Sequence, residues 1–79
     1  MLIEIKNRYD GSVIFSGEFE SLLLAVEEAV RKDTSLEHAN LNHANLYGAN
    51  LEHANLGHAS LEHANLGGAN LGHANLGGA

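Results

Sequence analysis

The sequence contains no cysteine, so the disulfide staples on which many small folds depend are excluded. It also lacks proline and tryptophan, and at 79 residues it has room for one small soluble domain and little more. A chain of this length buries only about 60% of its unfolded surface, so an ordinary packed core is hard to build and another stabilising device is needed. Basic residues are scarce: Lys6, Arg8, Arg31 and Lys32 stand against ten acids, for a net charge of -6 with histidine neutral. That balance argues against a generic grip on nucleic acid phosphates, which needs clustered Lys and Arg. No apolar run approaches the roughly 18 residues of a membrane helix, and Met1-Leu2-Ile3-Glu4 lacks the basic-then-apolar order of a signal peptide. The expectation is a cytoplasmic protein that contacts neither membrane nor nucleic acid directly.

What the chain has in abundance is repetition. Beyond Asp33 nearly every residue is Leu, Ala, Asn, Gly, His or Glu. Leucine recurs every five residues at Leu36, Leu41, Leu46, Leu51, Leu56, Leu61, Leu66, Leu71 and Leu76. Alanine stands two positions before the next leucine from Ala39 to Ala74, and Ala79 continues the register. Such a period decides the fold before any local propensity does. On a helix, five steps rotate a side chain by about 140°, which scatters the leucines round the cylinder. On a flat strand an odd spacing sends successive leucines to opposite faces. A chain that turns a corner once per repeat keeps every leucine and alanine pointing at a common axis, which makes a solenoid. The residues two after each leucine read His38, His43, Gly48, His53, His58, His63, Gly68, His73 and Gly78. This series matches itself in four of five comparisons at a lag of four repeats, three of six at three and one of four at five, which favours twenty residues per coil.

The run Ala39-Asn40-Leu41-Asn42-His43, repeated as Ala44-Asn45-Leu46-Tyr47-Gly48 and onward, resembles the pentapeptide repeat family, whose pattern is Ala, Asp or Asn, Leu or Phe, then two variable residues. The resemblance covers residues 34–79 and implies a right-handed quadrilateral β-helix of about two coils, with leucine and alanine stacked inside and the variable positions outside. This chain uses Asn, or Ser at Ser35 and Ser60, where many members carry Asp. Each buried leucine contributes roughly 1.5 to 3 kcal/mol, and Asn side chains one coil apart, about 4.8 Å, are placed to form amide ladders.

The end coils of a solenoid need capping residues of a different kind, so residues 1–33 are expected to be the cap. Leu2-Ile3-Glu4-Ile5-Lys6 alternates, Ser12 to Ser16 is a second β-rich run, and Asn7 to Gly11 between them carries an Asp-Gly turn signal. Ser21 is placed to N-cap a helix over about 21–32, with Leu22, Val26, Ala29 and Val30 on one face and Arg31 and Lys32 at its C-terminal end. The predicted fold is therefore mainly β: a short right-handed quadrilateral β-helix (β-solenoid) over 34–79, capped by a β-hairpin and one α-helix over 1–33. The head is similar to short heads that precede pentapeptide repeats in phage and prophage proteins.

Chemistry-bearing residues are few. All six histidines occupy the second variable position. At twenty residues per coil they pair as His38 with His58, His43 with His63 and His53 with His73, one strand spacing apart and close enough for two imidazoles to share a metal ion. A full tetrahedral set would need Glu37, Glu52, Glu62 or another chain. Corner positions tolerate almost any polar residue, so the plain expectation is a solvent-facing stack with no metal and no cofactor. Gly67-Gly68 and Gly77-Gly78 fall in the repeat register and read as small corner residues rather than a phosphate loop, and Tyr47 reads as an exposed wall residue. Ser60 is assigned an inward ladder position. None of Ser12, Ser16, Ser21, Thr34, Ser35 and Ser60 has both a histidine and an acid within reach in this layout, and a short filled solenoid has convex walls, so no catalytic residue is assigned.

Three functional readings follow. The first is a structural module that binds a protein partner through rigid walls. The second is an acidic DNA mimic: the resemblance extends to family members that act on DNA gyrase, and phage anti-restriction and anti-CRISPR inhibitors also imitate duplex charge. Here residues 34–79 hold only Glu37, Glu52 and Glu62 as acids, against one duplex charge per about 1.7 Å. The third is a metal or pH response built on the histidine pairs, since protonation sets like charges against each other. For assembly, the C-terminal coil stops in full register at Leu76-Gly77-Gly78-Ala79. It is expected to expose Leu61, Leu66, Leu71 and Leu76 with Ala64, Ala69, Ala74 and Ala79, and to pair tail to tail as a homodimer, a mode the resemblance also implies.

Overall fold

A computed structural model describes residues 1–79. In the alternating first segment Ile5 is fully buried and Ile3 half-buried, and this becomes strand β1 (Leu2–Lys6). Strand β2 (Val13–Glu18) pairs with it antiparallel, from Leu2 opposite Glu18 to Lys6 opposite Val13, with an irregularity between Ile5 and Lys6. The second strand begins one residue later and ends two residues beyond the apolar run Ser12–Ser16, because the loop claims Ser12. There the Asp10 carboxylate accepts the Ser12 amide at 2.9 Å and its hydroxyl at 2.8 Å, and Gly11 adopts a φ of 75° that other residues resist. The same Ser12 contacts hold the Asp10 carboxyl below its ordinary range, the backbone amide most of all.

Helix α1 (Leu22–Arg31) starts where its cap permits: the Ser21 hydroxyl oxygen accepts the Leu24 amide at 3.3 Å. Its inner face buries Ala25, Val26 and Ala29. It stops at Asp33, which takes a φ of 59° while Thr34 N–H donates to Ala29 O at 2.9 Å and Asp33 N–H to Val30 O at 3.0 Å, a Schellman ending built on aspartate rather than glycine.

From Leu36 onward the five-residue pattern makes one tight turn per repeat. The alanine N–H donates to the carbonyl of the leucine three residues earlier at 3.0 to 3.1 Å, nine times in succession from Leu36–Ala39 to Leu76–Ala79. Turns stack at a lag of twenty: Asn40 bridges Ser60, Asn45 bridges Asn65, Asn50 bridges Asn70 and Asn55 bridges Asn75, all parallel. Each bridge uses hydrogen bonds of 2.8 to 2.9 Å, such as Leu41 N–H to Ser60 O and Ser60 N–H to Ala39 O, and the turns between bridges add others such as His43 N–H to Glu62 O at 2.8 Å. Leu36, Leu41, Leu46, Leu51 and Leu56 are at most 2% exposed and share one core with Ala25, Val26, Ala29 and Ile5. The device that replaces disulfides is this ladder of backbone bonds around a column of leucine.

Candidate functional site: the corners and the two end faces

Every corner imposes one backbone demand. The residue two after each leucine has φ between 56° and 75° at all nine positions, whether histidine or glycine. With the leucine-to-alanine hydrogen bond, a positive φ confined to the third turn residue defines a type II turn. This corrects the expectation that the corner accepts almost any polar residue: β-branched side chains are excluded, while glycine fits freely and histidine is among the few residues enriched there.

The histidines pair as the twenty-residue coil requires. Ring centroids lie 5.6 Å apart for His38 and His58, 5.1 Å for His43 and His63, and 5.0 Å for His53 and His73, with interplanar angles of 32°, 15° and 6°. Stacked rings direct their in-plane lone pairs side by side rather than at one point, whereas a shared ion needs both nitrogens at about 2.0 to 2.1 Å. No third ligand converges either, since no group of three or more His, Cys, Asp or Glu gathers anywhere in the chain. The first stack is extended by the head: Tyr9 packs edge-on to His38 at 5.5 Å and carries the Arg8 guanidinium 5.1 Å above its ring.

Asparagine side chains mostly serve their own repeat. Oδ1 of Asn40, Asn45, Asn50, Asn55, Asn65, Asn70 and Asn75 accepts the amide two residues on at 2.9 to 3.2 Å. An amide ladder of the expected kind exists on one column only, where Asn75 Nδ2 donates to Asn55 Oδ1 at 3.3 Å and Asn55 Nδ2 to Ser35 Oγ at 3.2 Å. Ser60 is half-buried and its hydroxyl donates to Asn42 Oδ1. One small depression, about 190 Å³, is lined by Asp33, Ser35 and His53, a grouping the sequence layout had excluded. Ser35 Oγ accepts from Glu37 N–H and Asn55 Nδ2 there, and no hydrogen bond joins it to His53, so the serine lacks the base contact that activates a nucleophile.

The two end faces differ. In the second coil, Ser60, Asn65, Asn70 and Asn75 donate their amides to alanine carbonyls of the first. In the first coil, Asn40 N–H finds Lys6 O at 2.7 Å, with Arg8 N–H returning to His38 O at 2.7 Å, and Asn50 N–H finds the Glu27 carboxylate at 2.8 Å. Glu27 stands where a preceding coil would offer a carbonyl, a role no sequence feature marked. At the other end the N–H groups of Leu61, Leu66, Leu71 and Leu76 have no partner within the chain. Leu61, Leu66, Leu71, Ala64, Ala69 and Ala74 are only half-buried, Leu76 is 39% exposed and Ala79 is exposed. A depression of about 560 Å³ opens on this face between Leu61, Leu66, Leu76 and Ala79, with Arg8 and Glu62 at its margin.

Stacked type II turns around a leucine column define a repeat protein. The pentapeptide repeat model matches residues 32–68 and 44–79, eight copies in all and more than half of the chain, and the chain belongs to that family. No curated protein and no solved structure matches it. No helix of the chain is long and apolar enough to cross a membrane.

Proposed function

We propose that this is a non-enzymatic structural module, a right-handed four-sided β-helix that presents rigid walls to protein partners and pairs tail to tail with a second copy in the cytoplasm. Four turns per twenty residues and parallel bridges at that lag support the winding. The observation that carries the assembly is the asymmetry of the ends: the head and Glu27 occupy edge groups of the first coil, while the leucine amides of the last coil are unpaired and Leu76 is 39% exposed. The first coil keeps Asn45 and Asn55 N–H unpaired but its leucines are covered, whereas those of the last coil are partly exposed, and pairing that apolar face with itself closes the assembly as a two-fold dimer instead of a filament. Glu37, Glu52 and Glu62 lie at three different corners, which disfavours DNA mimicry because no single wall concentrates their charge.

Sedimentation of the 79-residue chain tests the reading. A dimer at micromolar concentration that Leu76→Lys converts to a folded monomer supports it. A stable 8.4 kDa monomer, or a dimer indifferent to Leu76→Lys, overturns it.

A further inference from the structure

Of the four basic side chains, three are engaged by carboxylates of their own segment: Lys6 lies 3.8 Å from Glu4, and Arg31 and Lys32 lie 2.6 and 3.6 Å from Glu28. Arg8 is the exception. Its backbone pairs with the first coil, yet its side chain reaches the second, where Nη1 donates to His58 O at 3.1 Å. The guanidinium so held lies on the margin of the end-face depression and touches no carboxylate. Glu62 lines the same depression, and no lysine or arginine forms an ion pair with it, the His63 imidazole at 3.9 Å being its one close nitrogen partner. One apolar hollow therefore carries one cation and one anion, neither neutralised within its own chain.

Resting on the tail-to-tail reading, we propose that Arg8 and Glu62 are the specificity pair of that interface, Arg8 of each copy meeting Glu62 of the other. A two-fold contact is self-complementary: if one residue touches a second across the axis, the second touches the first. A two-fold axis that runs midway between the two side chains, perpendicular to the line joining them, sets Arg8 of each copy against Glu62 of the other, so the contact forms twice, whereas a copy docked in another rotation sets like charges together or leaves both unpaired. The pair matters because the face is small. Principal extents of 27, 25 and 24 Å limit an end face to about 600 Å² per partner, at the lower end of stable interfaces. On so little apolar area, charge complementarity fixes orientation and contributes visibly to affinity.

Sedimentation equilibrium on the wild type, Arg8→Glu, Glu62→Arg and the double exchange, with circular dichroism to establish folding, decides the matter. The expected result is a wild-type dimer, each single change raising the dissociation constant about tenfold or more, and the double exchange returning to within about threefold of wild type. Glu62→Arg leaves the Arg8 bond to His58 intact, so it separates the charge effect from damage to the head. A wild-type dimer unaffected by the single changes, or singles that the double fails to rescue, overturns the pair while leaving the dimer standing. A wild-type monomer overturns both.

Discussion

The leucine column predicts a gradient of mutational cost that its sequence, nearly uniform from repeat to repeat, does not. Leu46 is completely buried with a coil beneath it, while Leu76 sits on the last turn and is 39% exposed. Truncating a fully enclosed leucine removes its transfer energy and leaves a cavity, so Leu46→Ala is expected to cost about 3 kcal/mol. At Leu76 water already meets much of the side chain and fills the space left, so Leu76→Ala costs about 1 kcal/mol in the monomer. A domain of 79 residues has about 4 to 12 kcal/mol in total, so the first change is close to unfolding the chain and the second is not. Urea unfolding followed by circular dichroism, at concentrations low enough to keep the chain monomeric and with unchanged m-values, measures both. Raising the concentration into the dimer range should then increase the cost of Leu76→Ala alone, because association stabilises only the folded chain. Equal costs at both positions in the monomer would refute the reasoning, as would a Leu46→Ala cost below about 1 kcal/mol.

Other changes isolate single physical terms. A Cβ at Gly48 meets nothing within 4 Å, so Gly48→Ala tests the backbone alone and should cost about 1 kcal/mol by denaturant titration. Gly78→Ala adds a collision with the His58 imidazole to the same backbone strain and should cost more, unless the terminal turn frays to relieve it. Glu27→Ala removes the acceptor of the Asn50 amide and should cost about 1 to 2 kcal/mol and speed exchange of that amide, while Glu27→Gln keeps an acceptor and loses less. The Glu28 carboxyl is held below its ordinary 4.5 by hydrogen bonds from Arg31 above all, so its contribution is present above that value and is lost as pH falls through the lowered folded value. Glu28→Gln should flatten the acid limb of a stability profile in that window by lowering stability slightly at neutral pH, where the ionised carboxylate contributes, and by matching the wild type once the carboxyl is protonated.

Much of the architecture could be read from the sequence because a strict period leaves few solutions. The spacing of Leu36 to Leu76 excludes helix and flat strand, and the self-match of the corner residues sets the lag at which Asn40 bridges Ser60. Ser21 and the Asp10-Gly11 turn were legible because caps and turns use short-range chemistry. Long-range roles of ordinary residues were not. Glu27 looks like any solvated helix acid, and only the docked geometry sets its carboxylate 2.8 Å from an amide 23 positions away. Arg8 likewise carries no motif, and its reach to His58 depends on how the hairpin lies across the first coil. The positive φ of the corners did have a signal, since only glycine and histidine occur there, but smallness explained the glycines equally well until the backbone was seen.

The variable positions are also less variable than a single repeat implies, because each is coupled to the residue twenty positions on. Side chains lean toward the following coil, and where a long one leans, the residue beneath is often glycine. A Cβ at Gly67 would lie 3.1 Å from the Tyr47 ring, one at Gly57 3.6 Å from the Glu37 carboxylate and one at Gly72 3.7 Å from that of Glu52. At the corners the constraint is double: the residue must accept a positive φ and also fit the ring above it. Histidine over histidine satisfies both demands by stacking, as in the 5.0 Å pair of His53 and His73. Glycine under histidine satisfies them at Gly78, where the tilted His58 ring occupies the space a side chain would take. Asparagine or aspartate would accept the backbone but bring a shorter, polar group with less ring surface to stack. At Gly78 two local requirements therefore act together, the hand of the turn and the room left by the coil above, whereas at Gly48 and Gly68, where a Cβ would meet nothing closer than 3.9 Å, the hand of the turn acts alone.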